Sequence, residues 1–261
     1  VEAPYRWLED DRDPEVVAWA SAQQSTTRAI LDALPERESI RSTCEELYNH
    51  PRVGIPRTIG ERIFLSRNNG LQNQSVTFVQ KEDGTEEVFL DPNGLSEDGT
   101  VTAGLSGASP DGRHVVEVRN AAGSDWQEMR VLDVATGEST GEVLKWVKFS
   151  GAAWVDGGFY YSRYPAPEGS AFSAENTFHS VYFHKVGTPQ EEDVLVFRNE
   201  DEPNRYHFVN TTEDGQFAVL NTSTGTDGNS LHVLSLAGGD SNWKPVVEGF
   251  ESHQSIVEHV L

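Results

Sequence analysis

Cysteine occurs once in 261 residues, as Cys44. A single thiol excludes an internal disulfide framework and any thiolate zinc site. Its spacing with Ile40 and Leu47 predicts a packed position on one helix face. Lysine is scarce too, five against fifteen arginines, and 42 acidic residues outweigh the 20 basic ones for a formal net charge of −22. Nucleic acid and anionic membrane surfaces are therefore poor partners, because a phosphate surface would be repelled. The acid excess suits a high-salt cytoplasm, or coding bias combined with a solubility requirement. No run of 18 apolar residues occurs, and the opening VEAPYRWLED has neither a basic region nor an apolar stretch. With no visible signal peptide the expected location is cytoplasmic, the periplasm being the alternative. Only 36% of residues are hydrophobic, yet 12 Phe, 7 Tyr and 6 Trp argue for a packed core over disorder.

Two helices are expected before any strand. Asp13 suits an N-cap, Pro14 the first helical position, and Glu15 complements the helix dipole. Val16, Trp19, Ala20, Gln23, Ile30, Leu31 and Leu34 then recur at helical spacing until Pro35. A second helix over about 37–49 ends before Pro51. From Ile55 the pattern turns to short strands, in sets of three: 63–67, 75–80 and 86–91; 114–119, 129–134 and 142–146; 159–164, 180–185 and 193–198; 217–222, 231–236 and 244–249. The turns EDGT, ATGE, EDGQ and LAGGD supply the glycines that hairpins need.

These sets repeat. TIGERIFLS, SPDGRHVVE, WVDGGFYYS and TEDGQFAVL align Gly60, Gly112, Gly157 and Gly215 at intervals of 52, 45 and 58 residues. A period of about 40–50 residues holding three or four strands marks a propeller. The expectation is four blades, with residues 251–261 starting a fifth. The repeated turns are read as structural, each reversing the chain with a positive φ at Gly.

Self-sufficient chemistry is hard to find. The nearest match to a hydrolase nucleophile elbow is Gly104–Ala108, which lacks its last glycine and runs into a strand pattern. His179 and His184 are five apart, on opposite faces of a strand, and so do not share a metal. Asp201-Glu202 and Glu191-Glu192-Asp193 read as solvated acidic loops. Three glycosylation-type triplets begin at Asn73, Asn210 and Asn221, a pattern common by composition alone. No phosphate-cradling loop, metal site or cofactor is expected.

Longer stretches are more specific. PYRWLEDDRDPEVVAWASAQQ, GLQNQSVTFVQ, VFLDPNGLSEDGTV, GSDWQEMRVLDVATG, VKFSGAAW, FYYSRYP and VYFHKVGTPQEEDVLVF, in that order, resemble the N-terminal portion of the prolyl oligopeptidase family of serine peptidases. The resemblance covers essentially the whole chain. It implies a mainly β fold: part of a seven-bladed β-propeller, about four blades, preceded by an α-helical segment of an α/β-hydrolase domain. Residues 1–49 would belong to that hydrolase domain, and 50–261 to blades 1–4 and the start of blade 5. The family's Ser, Asp and His triad, oxyanion hole and proline pocket lie in a C-terminal part with no match in this sequence, so no catalytic residue is assigned and the chain alone is expected to be inactive. The chain is also expected to begin late, with Ala3 where Asp is usual.

Phe149 in VKFS matches a residue lining the apolar subsite beyond the proline pocket. Tyr206 in DEPNRYHF and Thr226 in STGTDGNS align with two further lining positions, where Met and Cys are frequent. Asp125 aligns with a propeller acid that pairs with an Arg in some members, and Ser223 stands at the partner position. Trp126 reads as a packing residue. The implied activity is hydrolysis of short proline-containing peptides after proline, with the absent C-terminal hydrolase domain as partner and the propeller restricting access. Two alternatives are a non-catalytic propeller-like binding module and a related oligopeptidase with a different preference at the cleaved residue.

Overall fold

The structure is a computed structural model that describes residues 3–81, 83–237 and 242–257. A 3-10 turn at Arg6–Glu9 leads to α1 (Pro14–Asp32) and α2 (Arg37–Tyr48). Asp13 starts α1 as expected, its carboxylate accepting the Glu15 N–H at 2.8 Å. The expected apolar stripe, however, is not buried. Val16 is the buried residue of α1, while Trp19, Ile30, Leu31 and Leu34 are exposed. Cys44 on α2, expected to be packed, is exposed, as are Ile40 and Leu47. The helical period forms, but burial also needs an opposing element: Trp19 meets the Trp7 ring edge-on at 5.9 Å, while Ile30, Leu31 and Leu34 stay exposed.

The rest is antiparallel β structure. β1 (Arg52–Val53) and β2 (Arg57–Ile59) both pair with β3 (Arg62–Asn68), which continues to β4 (Val76–Gln80) and β5 (Glu86–Leu90). β6 (Thr102–Ala108), β7 (His114–Asn120), β8 (Gln127–Asp133) and β9 (Leu144–Val147) form a second meander. β10 (Ala153–Val155), β11 (Gly158–Arg163), β12 (Ser180–Lys185) and β13 (Val194–Phe197) form a third. β14 (Tyr206–Thr211), β15 (Phe217–Ser223), β16 (Ser230–Ser235) and β17 (Lys244–Val247) form a fourth. Among the described residues hydrogen bonding gives three sheets, because Val147 of β9 pairs with Arg163 of β11 and joins the second and third meanders into one eight-stranded ladder.

Each meander opens one strand earlier than the sequence pattern suggests. β2, β6, β10 and β14 carry weak signals for physical reasons. β6 reads TAGLSGA, small residues of low strand propensity. Its smallness is required: a Cβ at Gly107 would lie 2.8 Å from the Trp154 ring of β10. The near match to a nucleophile elbow, Gly104–Ala108, is therefore strand throughout.

Successive meanders pack face to face. Ile59, Phe64 and Val79 of the first meet Val115, Leu132 and Val134 at the second. Val116, Met129, Val131 and Leu144 meet Trp154, Phe159 and Tyr161 of the third. Ala153, Tyr160 and Val181 meet Val209, Ala218, Leu220 and Leu234 of the fourth. The core is thus distributed between layers, as in a propeller.

The aligned glycines behave as the repeat predicts, with φ of 59° at Gly60, 69° at Gly112, 79° at Gly157 and 67° at Gly215. Two of the turns are built alike. Ser109 Oγ donates to Asp111 at 2.6 Å and accepts the His114 N–H at 2.9 Å; Thr212 Oγ1 donates to Asp214 at 2.6 Å and accepts the Phe217 N–H at 3.0 Å. The expected turn at 236–240 lies partly outside the described residues, as does the end of 251–261. Within the latter, Gln254 donates its N–H to Asn229 Oδ1 at 2.7 Å and accepts from Asn229 Nδ2 at 2.9 Å.

One acidic loop differs from its sequence reading. Asp193, expected to be solvated with Glu191 and Glu192, has a fully buried carboxylate. It accepts from Tyr161 Oη at 2.6 Å and from His184 Nδ1 at 2.7 Å.

Candidate functional site

The ends of β9, β11 and β14 meet in a run of aromatic side chains. β9 reaches it through an irregularity: the register of β8 against β9 shifts between Gln127 and Met129, and Trp146 within β9 has a φ of 62°. Such a bulge re-aims the side chain, and Trp146 packs edge-on against Trp126 with ring centroids 5.5 Å apart. Trp126 then contacts Tyr164 at 6.1 Å, Tyr164 contacts His179 at 4.8 Å, and His179 contacts Tyr206 at 6.0 Å and Phe208 at 5.6 Å. Phe149 closes the run, edge-on to Tyr206 at 5.7 Å and 85°.

Phe149 is 48% exposed and held at a φ of 49°. Both are costs for a large aromatic residue, in lost burial and in backbone strain. Four non-glycine residues have a positive φ among the described residues, and Trp146 and Phe149 are two of them. Strain persists where the surroundings enforce it, and such places cluster at functional sites.

The run rests on a buried polar frame. The Nδ1 of His179 accepts the His207 N–H at 3.0 Å, and its Nε2 bonds the Lys148 carbonyl at 2.9 Å. His207 Nδ1 bonds Thr222 Oγ1 at 3.0 Å, and Ser162 Oγ donates to the His207 carbonyl at 2.7 Å. Burial brings both histidines down to a pKa of about 4, leaving them neutral at pH 7. Burial likewise pushes the Tyr164 phenol up to about 12. Lys148 sits 4.0 Å from the centre of the Trp126 ring, where burial lowers its pKa and the neighbouring charge of Asp125 opposes that.

Of the three residues predicted from sequence, Phe149 and Tyr206 come together. Thr226 is exposed in the loop after β15, at the same end of the sheet, since Tyr206 pairs with Ser223. Sequence reasoning missed Trp146, Tyr164, His179 and Phe208. The available signal was aromatic and histidine density at strand ends, in FYYSRY and YHF. What the arrangement can do is hold apolar groups against flat ring faces at an exposed edge. Among the described residues no cluster of His, Cys, Asp and Glu has the geometry of a metal site.

Layered antiparallel meanders with an aromatic site at their strand ends define a β-propeller domain. A sequence model of "Prolyl oligopeptidase, N-terminal beta-propeller domain" matches residues 1–260, and the chain belongs to that family. It is 36% identical over 260 residues to a prolyl endopeptidase of Elizabethkingia meningoseptica, covering 99% of this chain and 37% of that protein. It superposes on prolyl oligopeptidase B from Galerina marginata, bound to a 25mer macrocyclization substrate, with a TM-score of 0.86 and 28% identity, covering 100% of this chain and 40% of the other. Oligopeptidase B from Leishmania major, at 17% identity and a TM-score of 0.75, shares the fold. The chain therefore spans about two fifths of the length of the relatives it matches.

Proposed function

We propose that this chain is the N-terminal part of a serine-type prolyl endopeptidase that hydrolyses short peptides after proline. Residues 1–49 belong to the peptidase domain and 50–261 to the propeller. The propeller limits access by size, and Phe149, Tyr206 and Thr226 form an outer apolar subsite on the amino side of the proline. The nucleophile, base and oxyanion donors belong to the C-terminal part, so the chain alone has no turnover, and its location is the cytoplasm. The observation that carries the reading is the edge-to-face pair of Phe149 and Tyr206, kept half in solvent at a strained backbone position. An exposed aromatic with an enforced orientation suits capture of an apolar side chain.

The test uses the complete protein that contains this chain. Phe149→Ala is expected to lower kcat/KM about tenfold for a proline peptide carrying an apolar residue upstream, the scale of one lost apolar contact in a pocket. The same variant should leave the shortest proline substrate unchanged. Equal effects on both substrates would remove the subsite role. Cleavage of a glycyl-prolyl anilide by residues 1–261 alone, blocked by a serine-directed inhibitor, would remove the claim of inactivity.

A further inference from the structure

On the other side of the Trp126–Trp146 pair lies a cavity of about 530 Å³. Its apolar walls are Leu95, Val101, Trp126, Trp146 and Phe172, and its charged lining is Arg119, Arg130, Lys145 and Glu128. That volume lies in the range of pockets that bury small molecules. Phe172 at the mouth is 71% exposed. The loop that carries it is tied down next door, because Trp126 Nε1 donates to the Ala171 carbonyl at 2.7 Å.

Charge sets this cavity apart from the rest of the molecule. The chain as a whole carries −22, yet three cations and one carboxylate line this pocket. Arg119 is committed to the buried Glu117 at 2.7 Å, and Arg130 to Glu128 at 2.8 Å. Lys145 makes no ion pair among the described residues, its main chain being bracketed by the Gln190 amide at 3.0 Å on each side.

We propose that this cavity binds a small aromatic carboxylate. The ring stacks among Trp126, Trp146 and Phe172, and the carboxylate is held by Lys145 with the two arginines behind it. A carboxylate gives the exposed ammonium of Lys145 a partner, which a neutral ligand does not, and an aliphatic dication would be repelled by that ammonium while the two guanidiniums are already balanced by Glu117 and Glu128. The site shares Trp126 and Trp146 with the aromatic run described above but uses none of Phe149, Tyr206 and Thr226.

The probe is indole-3-acetate, with indole-3-acetamide as the neutral comparator of the same shape, titrated calorimetrically into the complete protein that contains this chain. The acid is expected to bind one-to-one and about tenfold more tightly than the amide, the scale of one charge-assisted contact. Lys145→Ala should bring the acid down to the level of the amide. Phe172→Ala, at an exposed position that burial does not constrain, should weaken both ligands. Equal binding of acid and amide, no saturable binding of the acid, or binding indifferent to both substitutions would overturn the proposal. Thermal melts of the two variants matching the parent establish that lost binding is local.

Discussion

His179 and His207 are coupled through the main chain: the N–H of His207 points at Nδ1 of His179, so the proton of His179 sits on Nε2 and faces the Lys148 carbonyl. Both imidazoles are buried and neutral, with pKa values of about 4 against an ordinary 6.5. A depressed pKa means that the unfolded chain takes up the proton first as pH falls. Stability is therefore complete above about pH 6.5 and is lost between about 6.5 and 4, at up to roughly 1.4 kcal/mol per pH unit for each histidine. Urea unfolding at pH 7.5, 6.5, 5.5 and 4.5 should show a level midpoint that then falls. His179→Gln should reduce the slope of that fall. A midpoint that stays flat down to pH 4.5 would contradict the burial argument.

Gly112 and Gly157 occupy equivalent turns in the repeat but face different surroundings. A Cβ at Gly112 would lie 2.7 Å from the backbone N of Gly60, whereas a Cβ at Gly157 meets nothing within 4 Å. Both have a positive φ, so alanine costs each about 1–2 kcal/mol of left-handed strain. Gly112→Ala adds a backbone collision between the first two meanders, bringing its loss to about 3 kcal/mol or more. Denaturant unfolding of the two variants checks this. Equal losses would mean that the two turns do not rely on close approach.

How much of this was legible depends on whether a feature is local. The turn glycines, the Asp13 cap and most outer strands follow from residue chemistry within a few positions. The opening strands of each meander do not, because TAGLSGA is selected for closeness to Ala152 and Trp154, residues far along the chain. Cys44 and Asp193 fail in opposite directions for one reason: burial is decided by what lies opposite. A helix face with good periodicity stays exposed, while an acidic loop is drawn under by Tyr161 and His184. Phe149 and Tyr206 were singled out by resemblance, and their ring contact spans 57 residues of sequence that no periodicity encodes.

Phe149 at a φ of 49° offers a test of whether its backbone is strained for the sake of its ring. Ordinarily alanine is more stable than glycine at a folded position by about 0.5–1 kcal/mol. At this residue the order should invert, with Phe149→Gly more stable than Phe149→Ala by about 1 kcal/mol, since both lose the Tyr206 contact and glycine alone is relieved of strain. Matched unfolding curves of the two variants give the answer directly. The ordinary order would show that the positive φ carries no cost here.

Asp193 holds the third meander closed by accepting two hydrogen bonds inside the protein, from Tyr161 Oη and His184 Nδ1, while Gln190 Nε2 donates to the same Tyr161 oxygen at 2.9 Å. Its charge cannot be left to water, because its side chain is fully buried. Removing the acceptor strands two buried donors, so Asp193→Ala should cost about 3 kcal/mol or more. Tyr161→Phe removes one donor and leaves the carboxylate to His184, for a smaller loss of about 1–2 kcal/mol. If the three groups act as one network, the double variant loses less than the sum of the singles, by about 1 kcal/mol. A double-mutant cycle by urea unfolding at pH 7.5 measures that coupling, and strict additivity would show that Tyr161 and Asp193 stabilise the sheet independently.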